Sequence, residues 1–188
     1  MLEELFFGRL KQEVARNPQL LGEVLDRIRQ SRIIQTSLLE RLEEKPEFTE
    51  RLGTLARQQE SLAELLKALN FTKVAATTPY IQYLREAIGD ARRLTTVEQL
   101  VFMEIGQGES VELLNGMADA LNQDLKTRDG LRKLRDEEVQ WKAWIANELV
   151  HTGKHNEIAN ARKRFADVYG KARLQAIGTF LKEGFFKW

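Results

Sequence analysis

The sequence contains no cysteine, only two histidines and only three prolines among its 188 residues. The absence of cysteine excludes disulfides, thiolate metal sites, iron–sulfur clusters and cysteine nucleophiles. The scarcity of histidine argues against a serine–histidine triad, and no glycine-rich phosphate loop follows a strand pattern. These absences remove many of the common catalytic and cofactor-binding motifs.

Long apolar runs and a strong net charge are also missing. No stretch approaches the roughly 18 apolar residues that a membrane-spanning helix needs. The N-terminus has two acidic residues ahead of a short apolar patch, which is unlike a secretory signal. We therefore expect a cytoplasmic protein. The formal net charge of +1 gives no global indication of nucleic-acid binding.

The sequence does contain helical patterns almost throughout, with an apolar fraction of 43% that suits a globular protein. Asn17 and Thr78 each precede a proline, as an N-cap precedes the first residue of a helix. Thr95 and Glu98 have the spacing of a capping box. We predict a single all-α domain over residues 1–188. The predicted helices are 2–15, 18–44, 47–70, 79–93, 95–127, 129–151 and 156–183.

The most informative pattern is a helical stripe that occurs twice, 79 residues apart. In each copy apolar residues at three-four spacing share one helix face, and one polar residue interrupts the row at its third position. The first copy is Leu52, Leu55, Gln59, Leu62 and Leu66, and the second is Leu131, Leu134, Glu138, Trp141 and Ile145. Each stripe forms part of a helical hairpin, at 18–70 and 95–150. Two such hairpins joined by a long connection predict a four-helix bundle with one crossover.

This arrangement resembles the ferritin-like superfamily, in the rubrerythrin-like style. The segment QGESVELLNGMAD is similar to the family's first metal-binding helix, with Glu109 in the position of its carboxylate ligand. The segment LRKLRDEEVQWKAWIANEL is similar to the second, where the family carries Glu-x-x-His and this chain has Glu138 and Trp141. In LARQQESLAELLKAL of the first copy, Gln59 and Leu62 stand at those positions. The resemblance covers both hairpins and implies a ferritin-like four-helix bundle with additional N-terminal and C-terminal helices.

A ferritin-like di-iron site takes one glutamate from each of two helices and a Glu-x-x-His pair from each of two others. Most of those ligands are missing here, and tryptophan and leucine cannot replace an imidazole donor. We therefore expect no cofactor and no di-iron activity. One alternative is a single divalent metal ion in a carboxylate-rich site formed by Glu104, Glu109 and Glu138. Another is that Glu138 is a satisfied buried polar residue that fixes helix register. It would then pair with a buried arginine or lysine, share a proton with Glu109, or turn to the edge of the helix.

The last part of the chain is basic, because residues 151–188 contain eight basic and three acidic residues. One interpretation is that the helix at 156–183 packs on the bundle, with aromatic residues closing one end against Phe6 and Phe7. The other is that residues 156–188 dock on a protein groove or an anionic membrane surface. The docking residues would be Phe185, Phe186, Trp188, Arg162 and Arg164. Nucleic acid is disfavoured, since a short basic segment on an acidic body gives a weak field.

Together these patterns favour a non-enzymatic helical protein that acts through protein–protein contacts, as a homo-oligomer or with another protein. Two alternatives remain. The first is a ferritin-like metalloprotein with an atypical carboxylate-rich site, serving as an oxidoreductase or in metal storage. The second is a peripheral membrane-binding protein that uses the amphipathic C-terminal helix.

Overall fold

The computed structural model describes residues 2–42, 46–71, 78–89, 93–121 and 124–182. This part of the chain is all-α, as predicted, and contains no strand. No helix within it is long and apolar enough to cross a membrane. The helices are α1 (Leu2–Val14), α2 (Pro18–Leu39, continued by a 3₁₀ turn at Glu40–Leu42), α3 (Pro46–Ala68), α4 (Pro79–Ile88), α5 (Thr96–Ala120), α6 (Leu125–His151) and α7 (His155–Lys182).

Three helices begin at the predicted capping residues. Asn17 and Thr78 cap α2 and α4. The Asn17 side chain accepts two hydrogen bonds from backbone N–H groups of the first turn, and the Thr78 hydroxyl accepts one. At the start of α5, the Glu98 N–H donates to the Thr95 hydroxyl at 3.2 Å, and the Thr95 N–H donates to the Glu98 carboxylate at 2.9 Å. Local side-chain chemistry therefore sets these helix starts.

The predicted boundary between α5 and α6 was wrong. The fifth helix ends at Ala120 and not near 127, and the sixth begins at Leu125 and not at 129. The reason is Asp124, whose side chain accepts a hydrogen bond from the Thr127 N–H at 3.1 Å and caps α6. An N-cap aspartate starts a helix where the periodic pattern alone suggested a continuation.

Four helices contact one another in a ring, in the order α2, α3, α6 and α5. The first helix contacts α2 and α5, while α7 lies against α4 and α5. Phe6 of α1 meets Phe180 of α7, with ring centroids 5.9 Å apart. The described part of the basic C-terminal helix thus packs on the other helices. The side chain of Phe7 lies outside the described residues.

The apolar core has two parts, each drawn from one half of the long helices, and buried polar residues separate them. In each of α2, α3, α5 and α6, a buried polar residue lies where the helix passes from one part of the core to the other. We call these positions the polar layer. Each of its residues is at most 1% exposed. The polar layer consists of Arg32, Gln35, Gln58, Gln107 and Glu138.

Candidate functional site

Glu138, the polar interruption of the second stripe, lies in an ion pair within the polar layer. Its carboxylate accepts a hydrogen bond from the Arg32 guanidinium, which also donates to the Gln58 carbonyl oxygen at 3.0 Å. Burial raises the pKa of Glu138 above its usual value of 4.5, and the Arg32 charge opposes that rise. The structure therefore has the arginine pair, which was one of the three arrangements expected for this side chain.

The polar interruption of the first stripe has a different environment. Gln59 is only partly buried and donates to the Arg29 carbonyl oxygen at 3.2 Å. Its neighbour Gln58 is the residue that enters the polar layer. In the second stripe, Trp141 takes the place of the family's histidine and stacks on Trp144 in the apolar core, with ring centroids 5.0 Å apart. The polar residues of the two stripes therefore do not make equivalent contacts.

Glu104 contacts the basic C-terminal helix. The Arg162 guanidinium donates two hydrogen bonds to it, at 2.8 and 2.7 Å. Two residues further along α7, Arg164 pairs with Glu98 at 2.6 Å. The side chains of Arg162 and Arg164 are about half exposed, and both connect α7 to α5. The other predicted docking residues, Phe185, Phe186 and Trp188, lie outside the described residues.

Glu109 accepts hydrogen bonds from Arg173 at 2.9 Å and from the Tyr80 hydroxyl at 3.2 Å. Each of the three predicted metal ligands therefore meets a different arginine. Within the described ranges, no three carboxylates or histidines come together in a group that could hold a metal ion. His151 and His155 are exposed, at the end of α6 and the start of α7. A metal site at Glu104, Glu109 and Glu138 stays a prediction.

A cavity of about 390 Å³ lies among α1, α2, α5 and α7, with Tyr80 of α4 at its edge. This volume falls within the range of about 300–1,000 Å³ that is typical of small-molecule sites. Most of its wall is apolar and includes Phe6, Val24, Ile28, Met117 and Phe180. Its polar residues include Arg27, Ser31, Tyr80, Glu109, Ser110 and Arg173.

Four of these polar residues interact electrostatically, and we call Arg27, Tyr80, Glu109 and Arg173 the polar cluster. Burial and the Glu109 carboxylate raise the pKa of Tyr80 well above 10, while Arg173 and Arg27 oppose that rise. The phenol is therefore neutral near pH 7 and can donate a hydrogen bond. The Arg27 guanidinium carbon lies 4.0 Å from the centroid of the Phe180 ring, a cation–π contact at the cavity wall.

A second, more polar cleft of about 480 Å³ lies among α5, α6 and α7. Lys142 and Arg162 line it, and it shares Glu109, Glu112 and Arg173 with the first cavity. The Glu109–Arg173 ion pair therefore forms part of the wall of both spaces.

Sequence patterns indicated little of this cavity. Glu109 was singled out as a metal ligand, and Phe6 as a residue that packs against the C-terminal helix. Arg27, Tyr80 and Arg173 were not identified as site residues. They come from three helices that are far apart in the sequence, so no local spacing relates them. One available signal was the position of Arg27 within the apolar start of α2.

Comparisons of the chain with protein-family models, with curated proteins and with solved structures find no match. The resemblance to the ferritin-like superfamily therefore rests on the sequence segments alone. The cavity and its polar cluster are the features from which a function can be argued.

Proposed function

We propose that this protein is a non-enzymatic binding protein that holds a small, mostly apolar molecule in the cavity among α1, α2, α5 and α7. The observation that carries the proposal is the cavity itself, with its volume of about 390 Å³, its apolar wall and its few polar groups. Native cores contain few voids larger than a water molecule, so a space of this size beside the core favours a bound molecule.

The phenol of Tyr80 in the polar cluster is better suited to hydrogen bonding than to proton transfer. A general acid or base works best when its pKa lies near the working pH. The pKa of Tyr80 is raised well above 10, away from that range. Glu109 already accepts hydrogen bonds from Tyr80 and Arg173. The non-enzymatic part of the sequence-based hypothesis and action through protein–protein contacts both stay predictions.

We also propose that α2, α3, α5 and α6 form a ferritin-like four-helix bundle, with α1 and α7 as the additional helices. The ring of contacts among the four helices supports this arrangement, as does the placement of α4 in the long connection. In such a bundle the Arg32 guanidinium would supply positive charge in the interior, beside Glu138. An experimental structure with a different neighbour order among these four helices would contradict the proposal.

Ligand binding is tested by filling the cavity from α7. Ala176 is partly buried and lines the cavity, so Ala176→Phe adds an aromatic ring there without removing a contact. The neutral fluorophore N-phenyl-1-naphthylamine should bind the wild type with a fluorescence increase that saturates. The variant should bind it at least about tenfold more weakly, a difference of about 1.4 kcal/mol.

The matched control is Ala159→Phe, which makes the same substitution at an exposed position of α7. It should leave the dissociation constant of the fluorophore unchanged. Circular dichroism of all three proteins checks that the helices are intact. Binding that does not saturate, or equal binding by the wild type and Ala176→Phe, would show that the cavity is not the site.

A further inference from the structure

The lining of the cavity changes from apolar to polar along two helices that contact each other. Along α2 it runs from Val24 and Ile28 to Ser31, and along α5 it runs from Met117 to Ser110. The three apolar residues belong to one part of the core. The cavity therefore offers hydrocarbon at one end and two serine side chains toward the other.

Both serines lie within one helical turn of the polar layer. Ser31 directly precedes Arg32 in α2, and Ser110 follows Gln107 by three residues in α5. The polar end of the cavity therefore lies where the two parts of the apolar core meet. A molecule that fits both ends is amphipathic, with its chain beside the apolar core and its head group beside the serines.

The hydroxyl groups of Ser31 and Ser110 are available to such a molecule. Each serine is 6% exposed and lines the cavity. Among the residues that the structure describes, none forms a hydrogen bond with either hydroxyl. A serine in a helix can bond back to its own backbone, as Ser37 of α2 does to the Ile34 carbonyl oxygen at 2.8 Å. The two cavity serines leave this capacity to a ligand, because a buried hydroxyl is costly without a partner.

The charged residues of the cavity wall, in contrast, already interact within the chain. Glu109 accepts hydrogen bonds from Arg173 at 2.9 Å and from the Tyr80 hydroxyl at 3.2 Å. Arg27 lies over the ring of Phe180. An ionised head group would lose its hydration beside groups whose charges are engaged elsewhere, whereas a neutral head group loses much less. The serine hydroxyls can each donate one hydrogen bond and accept others.

We propose that the cavity binds a neutral amphipathic molecule and that Ser31 and Ser110 form hydrogen bonds with its head group. The ligand class is an aliphatic chain with a terminal group that both donates and accepts hydrogen bonds, as a primary alcohol does. This inference rests on the proposed function and specifies its ligand.

The test compares two isomers, 1-octanol and heptyl methyl ether, of which only the alcohol can donate a hydrogen bond. Each competes with N-phenyl-1-naphthylamine for the full-length protein at neutral pH. In a purely apolar cavity the ether would bind at least as tightly, because its oxygen is less strongly hydrated. At the proposed site 1-octanol should bind at least about fivefold more tightly, which corresponds to about 1 kcal/mol. Octanoate and octylammonium should both bind more weakly than 1-octanol.

Serine variants test which residues read the head group. The readout is the dissociation constant of the ether divided by that of 1-octanol. Ser31→Ala and Ser110→Ala should each lower this ratio, and the double variant should bring it to about one or below. Ser37→Ala is the matched control, because it removes a hydroxyl of α2 that is already bonded within the helix, and it should keep the wild-type ratio.

Urea unfolding of the ligand-free proteins gives a second readout. Alanine forms helices more readily than serine, and the two cavity hydroxyls have no described partner to lose. Ser31→Ala and Ser110→Ala should therefore be at least as stable as the wild type. A lower midpoint together with an unchanged ratio would show that the hydroxyls have a structural role instead, which would overturn the inference.

The outcomes separate the two proposals. If neither the fluorophore nor either isomer binds, the proposed function fails. If they bind but 1-octanol binds no more tightly than the ether, the proposed function stands and the inference about the head group is overturned. Tighter binding of octanoate or octylammonium than of 1-octanol would also overturn it, as would a wild-type ratio in the double serine variant.

Discussion

Arg32 and Glu138 form an ion pair in the middle of the core, where neither side chain is more than 1% exposed. Both groups lose their hydration on folding, so the net value of the pair depends on how completely its hydrogen bonds are made. Arg32 makes a further bond to the Gln58 carbonyl oxygen, which joins α2, α3 and α6 at one level. We therefore expect the Arg32–Glu138 pair to favour one alignment of these helices along their lengths.

Removing one member of this pair should be far more damaging than replacing both. We expect Arg32→Met or Glu138→Leu alone to lower the free energy of unfolding by about 3–5 kcal/mol, because each leaves an uncompensated buried charge. The double variant should recover most of that loss. Urea unfolding of the four proteins, followed by circular dichroism, measures the coupling.

Additive losses in the double variant would contradict an energetically coupled pair.

A metal site makes a different prediction for Glu138. Stoichiometric iron, manganese or zinc in protein purified without chelator, lost on Glu138→Ala, would assign Glu138 as a ligand.

At the scale of the helices, close approach depends on particular small residues. A glycine inside a helix, such as Gly106 in α5, can kink the helix or permit close packing. In the structure α5 continues through this position, and a Cβ atom added there would overlap the Tyr169 hydroxyl of α7. That hydroxyl donates to the Phe102 carbonyl oxygen of α5 at 3.2 Å. Gly106 therefore serves the packing of α7 on α5.

The start of α6 offers a prediction at the same scale. Hydrogen bonds from Thr127, to which its side chain and backbone both contribute, lower the pKa of Asp124 below its usual 3.8. We expect Asp124→Ala to lower the free energy of unfolding by about 1 kcal/mol, the usual value of an N-cap, and Asp124→Asn to lower it less. Urea unfolding at pH 7 compares the three proteins.

The pH dependence of this cap follows from the direction of its shift. Because the pKa of Asp124 is lower in the folded than in the unfolded chain, its ionised form stabilises the fold above pH 3.8. That contribution is lost as the pH falls through the folded-state pKa. The advantage of the wild type over Asp124→Asn should therefore shrink on acidification, and an advantage that grows would contradict the assignment.

At the scale of the whole molecule, the described part of the basic C-terminal helix forms ion pairs with another helix of the same chain. Arg162, Arg164 and Arg173 each pair with a glutamate of α5. The sequence showed a basic C-terminal segment on an otherwise acidic chain, and these ion pairs join the two. Membrane docking would then depend mainly on the aromatic residues of the tail.

The membrane hypothesis predicts binding to vesicles that contain anionic lipid, weakened by salt and lost on deletion of residues 184–188. Vesicle co-sedimentation of the full-length and truncated proteins measures it. Arg164→Gln is the matched comparison. Because the Arg164 charge already pairs with Glu98, this substitution should reduce vesicle binding less than the truncation does. Failure of the full-length protein to bind such vesicles would exclude this function.

The sequence by itself determined the all-α class, most helix bounds and the capping residues of α2, α4 and α5. These features follow from contacts within one or two turns, so residue type and spacing are enough to indicate them. The sequence also indicated the two polar positions of the stripes, because helical spacing alone identifies them. It did not indicate what surrounds them, as the different environments of Gln59 and Glu138 illustrate.

Only the tertiary structure decided which polar groups meet. Arg32 and Glu138 are 106 residues apart, and their pairing depends on the rotation and depth of two helices, which helical spacing does not specify. The cavity likewise exists because α1, α2, α4, α5 and α7 each bring a part of its lining to one place. Glu109, which the sequence suggested as a metal ligand, lies there between Tyr80 and Arg173. The Arg173 guanidinium reaches this carboxylate only because α7 packs on α5, and no local spacing in the sequence relates two residues that are 64 positions apart.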